Sequence, residues 1–226
     1  MRPQKAYIIR ISSDISRKYA DDAADSCDRI GLPYEFVEGV ENKTAYEAWT
    51  QCGLPIKMLG VYKTHKIDKA ACATVSHAMT WSKIAKRKET AIVLEHDALM
   101  LQPVSIDIPD NTIVTLGYKL KDPSQYNHVK AGPPTNIVPI NGHEGAHAYA
   151  ITTTTANALL AELNTNGVSL PIDNMFFLKM RRSKIPLTIA DPTPAIGWVR
   201  ESTIWKDSSI LNYPFVDSFT QNYNAK

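Results

Sequence analysis

The sequence predicts an α/β fold with a central, mostly parallel sheet flanked by helices. Three observations predict it. The chain opens strand, helix, strand with short connections, a βαβ unit that implies parallel pairing. A long amphipathic helix then leads through Lys86-Arg87-Lys88 into the apolar run Ala91-Ile92-Val93-Leu94. Strand and helix signals keep alternating from there to about Ala190.

Each element has its own reason. Ala6 to Ile11 is β-rich, and Ser12-Ser13-Asp14 supplies capping chemistry for a helix to about Ile30. Gly31-Leu32-Pro33 stops that helix, and Tyr34 to Val37 reads as the second strand. Asn42 to Gln51 reads as a short helix, and Gly53 to Asp68 as irregular. From Lys69 to Lys86, the residues Ala71, Val75, Ala78 and Met79 fall at i, i+4, i+7 and i+8, one apolar stripe. Strands are expected at Ala91–Leu94, Asn111–Leu116, Ala146–Thr152 and Ile185–Ala190. A long polar loop is expected over Gly117–Asn136, of the kind that often serves as a lid or binding loop. Thr153 to Leu163 reads as a helix, and Pro171-Ile172-Asp173 opens another with proline in its first turn. The tail from Trp198 is aromatic and irregular. With no repeat, low-complexity tract or linker, residues 1–226 read as one domain.

Bulk properties narrow the function classes. A composition of 44% hydrophobic and 21% charged residues is that of a soluble globular protein. The net charge of +2 does not mark a nucleic-acid binder. No apolar run approaches the roughly 18 residues that span a bilayer, and Arg10 breaks the short apolar stretch near the start, so no signal peptide is expected. Cys27, Cys52 and Cys72 are odd in number and lack metal-ligand spacing, which points to reduced thiols and a cytoplasmic setting.

The most informative residues are Glu95 and Asp97, at the end of the buried strand. On a strand, residues i and i+2 point to one side, so both carboxylates can face one ligand. Unpaired charge at the end of a buried strand is costly, and a divalent cation holding a phosphate would satisfy both. Hard oxygen ligands suit Mn²⁺ or Mg²⁺ better than zinc. The alternative is that the pair marks the strand's exit into water.

The order of these signals resembles glycosyltransferase family 25, which contains lipooligosaccharide and collagen galactosyltransferases. Four stretches carry the likeness: Ile30-Gly31-Leu32-Pro33-Tyr34-Glu35-Phe36-Val37-Glu38-Gly39-Val40 after a helix containing Arg17; Val75-Ser76-His77, similar to the family's Leu-Ser-His; Ile92-Val93-Leu94-Glu95-His96-Asp97, similar to its Glu-Asp-Asp strand end; and Gly145-Ala146-His147-Ala148-Tyr149-Ala150-Ile151. Pro171-Ile172-Asp173 and Ser202-Thr203-Ile204 follow in the family's order. The chain departs from the pattern at Arg10-Ile11-Ser12, at Cys72-Ala73, and at His96, which replaces the middle acid.

The resemblance implies a GT-A-like (Rossmann-like) fold, with residues 1–97 binding a nucleotide-sugar and 98–226 an acceptor. It implies a metal-dependent, inverting enzyme that moves a hexose, galactose or glucose, from a UDP-sugar to a glycan hydroxyl, as in lipopolysaccharide or glycoprotein glycan synthesis. Asp97 would bind Mn²⁺ or Mg²⁺ directly, with Glu95 contacting sugar, ribose or metal-bound water. His147 would be a third metal ligand or a diphosphate contact, or a structural strand histidine. Asp173 would be the base, or only a helix cap. His77 would touch the donor sugar or brace the strand, and His96 would be structural. By topology, Ile11, Ser12, Arg17, Glu38 and Gly39 would surround the nucleobase and ribose. Lys179, Arg181, Arg182 and Lys184 would hold a diphosphate or charged acceptor, or form a solvated helix face. The expected partners are a nucleotide-sugar and a glycan or glycolipid acceptor, with peripheral contact to a membrane surface. A catalytically degenerate sugar- or partner-binding module and an enzyme acting on modified DNA are the competing readings, nucleic acid being the less expected partner.

Overall fold

A computed structural model describes residues 1–58, 65–120, 133–143, 145–168, 171–177, 179 and 183–198, with the side chains of 65–67, 119, 120 and 198 left out. The predicted βαβ opening is present as β1 (Lys5–Arg10), α1 (Asp14–Arg29) and β2 (Tyr34–Glu38). The Ser13 side chain accepts the Ser16 amide to cap α1, and Gly31 takes the positive φ (+67°) that turns the chain toward β2. Next, α2 (Ala45–Cys52) starts on a capping box between Thr44 and Glu47 and ends on Gly53 at φ +62°. The long helix α3 (His65–Arg87) begins four residues earlier than its apolar stripe suggests. It delivers the chain to β3 (Ala91–Glu95) and, after a two-residue turn, to β4 (Ala98–Met100).

The later elements are β5 (Ile113–Thr115), β6 (Gly117–Leu120), β7 (Asn136–Pro139), β8 (Ala148–Ile151), α4 (Thr153–Asn166), a π-helical turn (Asp173–Phe177), β9 (Leu187–Asp191) and β10 (Ala195–Trp198). Seven strands form one sheet in the order β2-β1-β3-β8-β5-β9-β7, and β4-β10-β6 form a second. In the larger sheet β1 is parallel to β2 and β3, and β5 to β9. The β3–β8, β8–β5 and β9–β7 pairs are antiparallel.

Both faces of β3 are buried, which explains why Ala91–Leu94 is an unbroken apolar run. Tyr7 and Val93 point to a core shared with Trp81 and Ile84 of α3 and Leu159 and Leu163 of α4. Their neighbours Ile8, Ile92 and Leu94 point to a second core with Ala20, Ala23 and Cys27 of α1 and Met100 of β4. The strand period of two divides these residues between the layers.

The structure corrects four expectations. The sheet is mixed rather than mostly parallel: β8 runs against both its neighbours, and a strand's apolar pattern reveals burial but not direction. The expected loop over Gly117–Asn136 contains β6, while 121–132 lie outside the described residues. Asp97 belongs to the β3–β4 turn rather than to the strand. Asp173 opens a π-helical turn rather than an α-helix; this wider turn buries both Phe176 and Phe177. The tail beyond Trp198, including Ser202-Thr203-Ile204, is outside the described residues. Among the described residues, no helix is long and apolar enough to cross a membrane.

Candidate active site

The antiparallel seam between β3 and β8 builds the site. Leu94 pairs with Ala148, and one step further the Glu95 amide donates to the His147 carbonyl at 2.8 Å. The last residue of β3 therefore faces the residue that leads into β8. The following turn brings Asp97 back to the same place. His147 Nδ1 lies 3.2 Å from Glu95 Oε2 and 3.3 Å from Asp97 Oδ1. Among the described residues, these three form the one group with metal-ligand geometry, one ligand atom from each lying within 4.8 Å of the others.

The imidazole is the floor of the site, 5% exposed, while the carboxylates above it keep 25% (Glu95) and 20% (Asp97) of their surface open. Two glycines seat the ring. A Cβ on Gly145 would lie 2.0 Å from His147 Nε2, and one on Gly197 would lie 2.6 Å from Cδ2 and Cγ. Gly145 also holds φ +86°, where a side chain would be strained.

The charges of the three groups are interlocked. Burial alone would lower the His147 pKa, but the Asp97 charge and the hydrogen bonds to Asp97 and Glu95 raise it to about 10. Burial opposes ionisation of Glu95, yet hydrogen bonds from His147 and His77 hold it well below the ordinary carboxylate range. Burial likewise opposes ionisation of Asp97, which the His147 charge and hydrogen bond reverse. The three shifts run in one direction, favouring ionised carboxylates and a protonated His147 Nδ1 between them. A divalent cation would take the place of the Nδ1 proton, since a coordinating histidine must be neutral. The donor set fits a divalent cation: two hard carboxylate oxygens, of the kind Mn²⁺ or Mg²⁺ prefer, and an imidazole converge on one point.

His77 lies beneath Glu95, 1% exposed. Its Nε2 is 3.1 Å from Glu95 Oε1 and its Nδ1 2.8 Å from the Tyr149 hydroxyl, so both ring nitrogens are engaged within the protein. His96, on the other side of the chain, stacks on Tyr19 of α1 at 6.2 Å between centroids.

The residues expected around the nucleoside form a connected patch at the carboxyl ends of β1 and β2. Ile9 of β1 pairs with Glu95, so the patch and the acidic cluster share one edge of the sheet. The Ile11 amide donates to Ser16 Oγ, the Ser12 amide to Glu41 Oε1, and Arg17 Nε to the Ser12 carbonyl. Arg10, stacked 3.8 Å from the Phe36 ring, donates to Glu38 Oε1. The Gly39 amide donates to the Arg10 carbonyl, and a Cβ there would lie 2.9 Å from Ser76 Oγ. Ser76 Oγ accepts the Val40 amide, and its neighbour His77 reaches Glu95. The Ser76-His77 dipeptide of α3 therefore ties the end of β2 to the end of β3.

Asp173 is not brought into the group of Glu95, Asp97 and His147; its turn packs behind that group, Phe176 edge-on against Trp81 and Phe177 against Tyr149. Lys179 and Lys184 are exposed, and Arg181 and Arg182 lie outside the described residues. Sequence reasoning missed Trp81 and Gly197 and assigned Tyr149 no role, although Tyr149 stands in the stretch around His147. A tryptophan on the apolar side of α3 has no local feature that separates it from core.

This geometry is that of an α/β protein with an acidic, imidazole-floored cluster at a sheet edge where ligands of such folds bind. The sequence model of glycosyltransferase family 25, described as an LPS biosynthesis protein, matches residues 3–176, which include Glu95, Asp97, His147 and Asp173. The chain belongs to that family. No curated protein matches it.

Proposed function

We propose that this chain is a metal-dependent, inverting glycosyltransferase with a GT-A-like arrangement, moving a hexose (galactose or glucose) from a UDP-sugar to the hydroxyl of a glycan or glycolipid. The observation that carries this reading is the convergence of Glu95, Asp97 and His147 at the carboxyl edge of β1, β2 and β3. Glu95, Asp97 and His147 Nδ1 would hold Mn²⁺ or Mg²⁺, which supplies positive charge beside the diphosphate that departs from the sugar. Replacement of the family's middle acid by His96 removes none of these three groups.

Asp173 is the proposed base. The acceptor oxygen attacks the anomeric carbon, the carbon–oxygen bond to the diphosphate breaks with its electron pair leaving on the diphosphate, and the hydroxyl proton passes to the Asp173 carboxylate. The patch of Ile11, Ser12, Arg17, Glu38 and Gly39 would border the nucleoside. A glycolipid acceptor would bring the protein to a membrane surface from the cytoplasm.

Calorimetric titration of UDP tests the reading. Binding that requires Mn²⁺, disappears with EDTA and is lost in Asp97→Asn is expected, and Asp97→Asn should also abolish turnover. Absence of UDP, GDP and CMP binding under both conditions would favour a degenerate binding module instead.

A further inference from the structure

We propose that Trp81, Tyr149 and His77 form a directional hydrogen-bond relay that fixes the His77 tautomer and thereby positions Glu95. This inference rests on the reading of Glu95 as part of a cation site; the relay itself is a statement about the protein alone.

The direction of the relay follows from donor chemistry. An indole N–H can only donate, so at 2.7 Å the Tyr149 hydroxyl oxygen accepts from Trp81 Nε1. The phenolic proton is then free to point to His77 Nδ1, 2.8 Å away, which makes Nδ1 the acceptor. With Nδ1 accepting, the proton of the ring sits on Nε2, so His77 Nε2–H donates to Glu95 Oε1 at 3.1 Å. The hydrogen bond from Trp81 to Tyr149 thus decides which nitrogen of His77 carries the proton that meets the carboxylate.

The relay is closed to solvent. Trp81 and Tyr149 are fully buried, and the aromatic pair of the π-helical turn covers them, Phe176 on Trp81 and Phe177 on Tyr149. Within such surroundings a misdirected proton has no water to accept it, so the arrangement has two discrete states rather than a continuum. With this polarity, Glu95 Oε1 is held by His77, leaving Oε2 directed to His147. Reversing the polarity would set an Nε2 lone pair against a carboxylate. Trp81, Tyr149 and His77 are positioning residues: none of them belongs to the converged ligand atoms.

The test combines Mn²⁺ calorimetry with nitrogen-15 NMR of the histidine rings in the metal-free protein. The wild type is expected to show His77 with its proton on Nε2 and Nδ1 as an acceptor. Tyr149→Phe and Trp81→Phe should populate other His77 states and weaken Mn²⁺ binding about 10- to 100-fold, the range typical of groups that orient metal ligands. His77→Gln, whose amide N–H can still reach Glu95, should retain affinity within about threefold, while His77→Leu should show the full loss. Near-ultraviolet circular dichroism identifies variants that fold, and the His77→Gln and His77→Leu contrast decides the matter where an aromatic substitution does not. Wild-type His77 found with a proton on Nδ1 would overturn the relay. So would unchanged Mn²⁺ affinity in His77→Leu. A wild type that binds no Mn²⁺ would instead sink the cation site, with the His77 tautomer still deciding the relay.

Discussion

Glu95 and His147 are joined twice: the Glu95 amide donates to the His147 carbonyl at 2.8 Å, and the His147 imidazole returns to within 3.2 Å of the Glu95 carboxylate. The backbone bond belongs to the β3–β8 ladder, so the position of the site is set by the register of the sheet. A side-chain cluster anchored this way is preorganised, because any displacement of His147 breaks the end of the ladder.

The seat of His147 depends on Gly197. A methyl group there would meet the ring at 2.6 Å, and at Gly197 no positive φ complicates the interpretation. Gly197→Ala should displace the imidazole, lower stability by about 1–3 kcal/mol as overpacking does, and weaken Mn²⁺ binding more than the loss of stability suggests. Thermal unfolding and metal titration of the same sample check both.

The His147 pKa, raised to about 10, makes two pH predictions. Because the folded value lies above the ordinary 6.5, the stabilisation is fully present below pH 6.5 and is lost as pH rises through about 10. Metal-free wild type should therefore lose Tm between pH 7 and 10.5 through a component that His147→Gln lacks. Mn²⁺ binding at pH 7.5 should release about one proton per ion, seen as a dependence of calorimetric heat on the buffer's ionisation enthalpy.

Glu35 provides the opposite sign, at the other end of the sheet. Hydrogen bonds from Arg87 and Lys83, joined by Lys5, lower its pKa from 4.5 to about 2 against a smaller opposing effect of burial. Its contribution is present above pH 4.5 and lost as pH falls toward 2. Glu35→Gln should cost about 1 kcal/mol at pH 7, a value suited to a half-buried, solvent-screened network. Denaturation measured from pH 7 to pH 2.5 should show the gap between variant and wild type narrowing below pH 4.5.

Ser76 holds the end of β2 by accepting the Val40 amide at 2.9 Å within the core. Ser76→Ala leaves that buried N–H without its acceptor, a loss of about 1–3 kcal/mol. It should also weaken UDP binding while Mn²⁺ binding changes less, since His77 and Glu95 are untouched. Paired titrations with the two ligands separate these effects.

Much of this protein is legible locally. The βαβ opening, the stop at Gly31, the α3 stripe, the buried β3 run and its two terminal acids all follow from capping chemistry, side-chain period and the cost of unpaired charge. Those effects act over a few residues, so a single chain displays them directly. His147 and its surroundings are different. Its role depends on β8 running antiparallel to β3, some fifty residues away in the chain, and on Gly197 of a second sheet. Nor does the apolar pattern of α3 reveal that the Trp81 indole donates to the Tyr149 hydroxyl that meets His77. Strand direction, register and the polarity of a buried hydrogen-bond chain are decided when distant segments pack together, because only then do the competing donors, acceptors and volumes meet. The sequence by itself determined that carboxylates would end a buried strand; the tertiary structure decided what they would face.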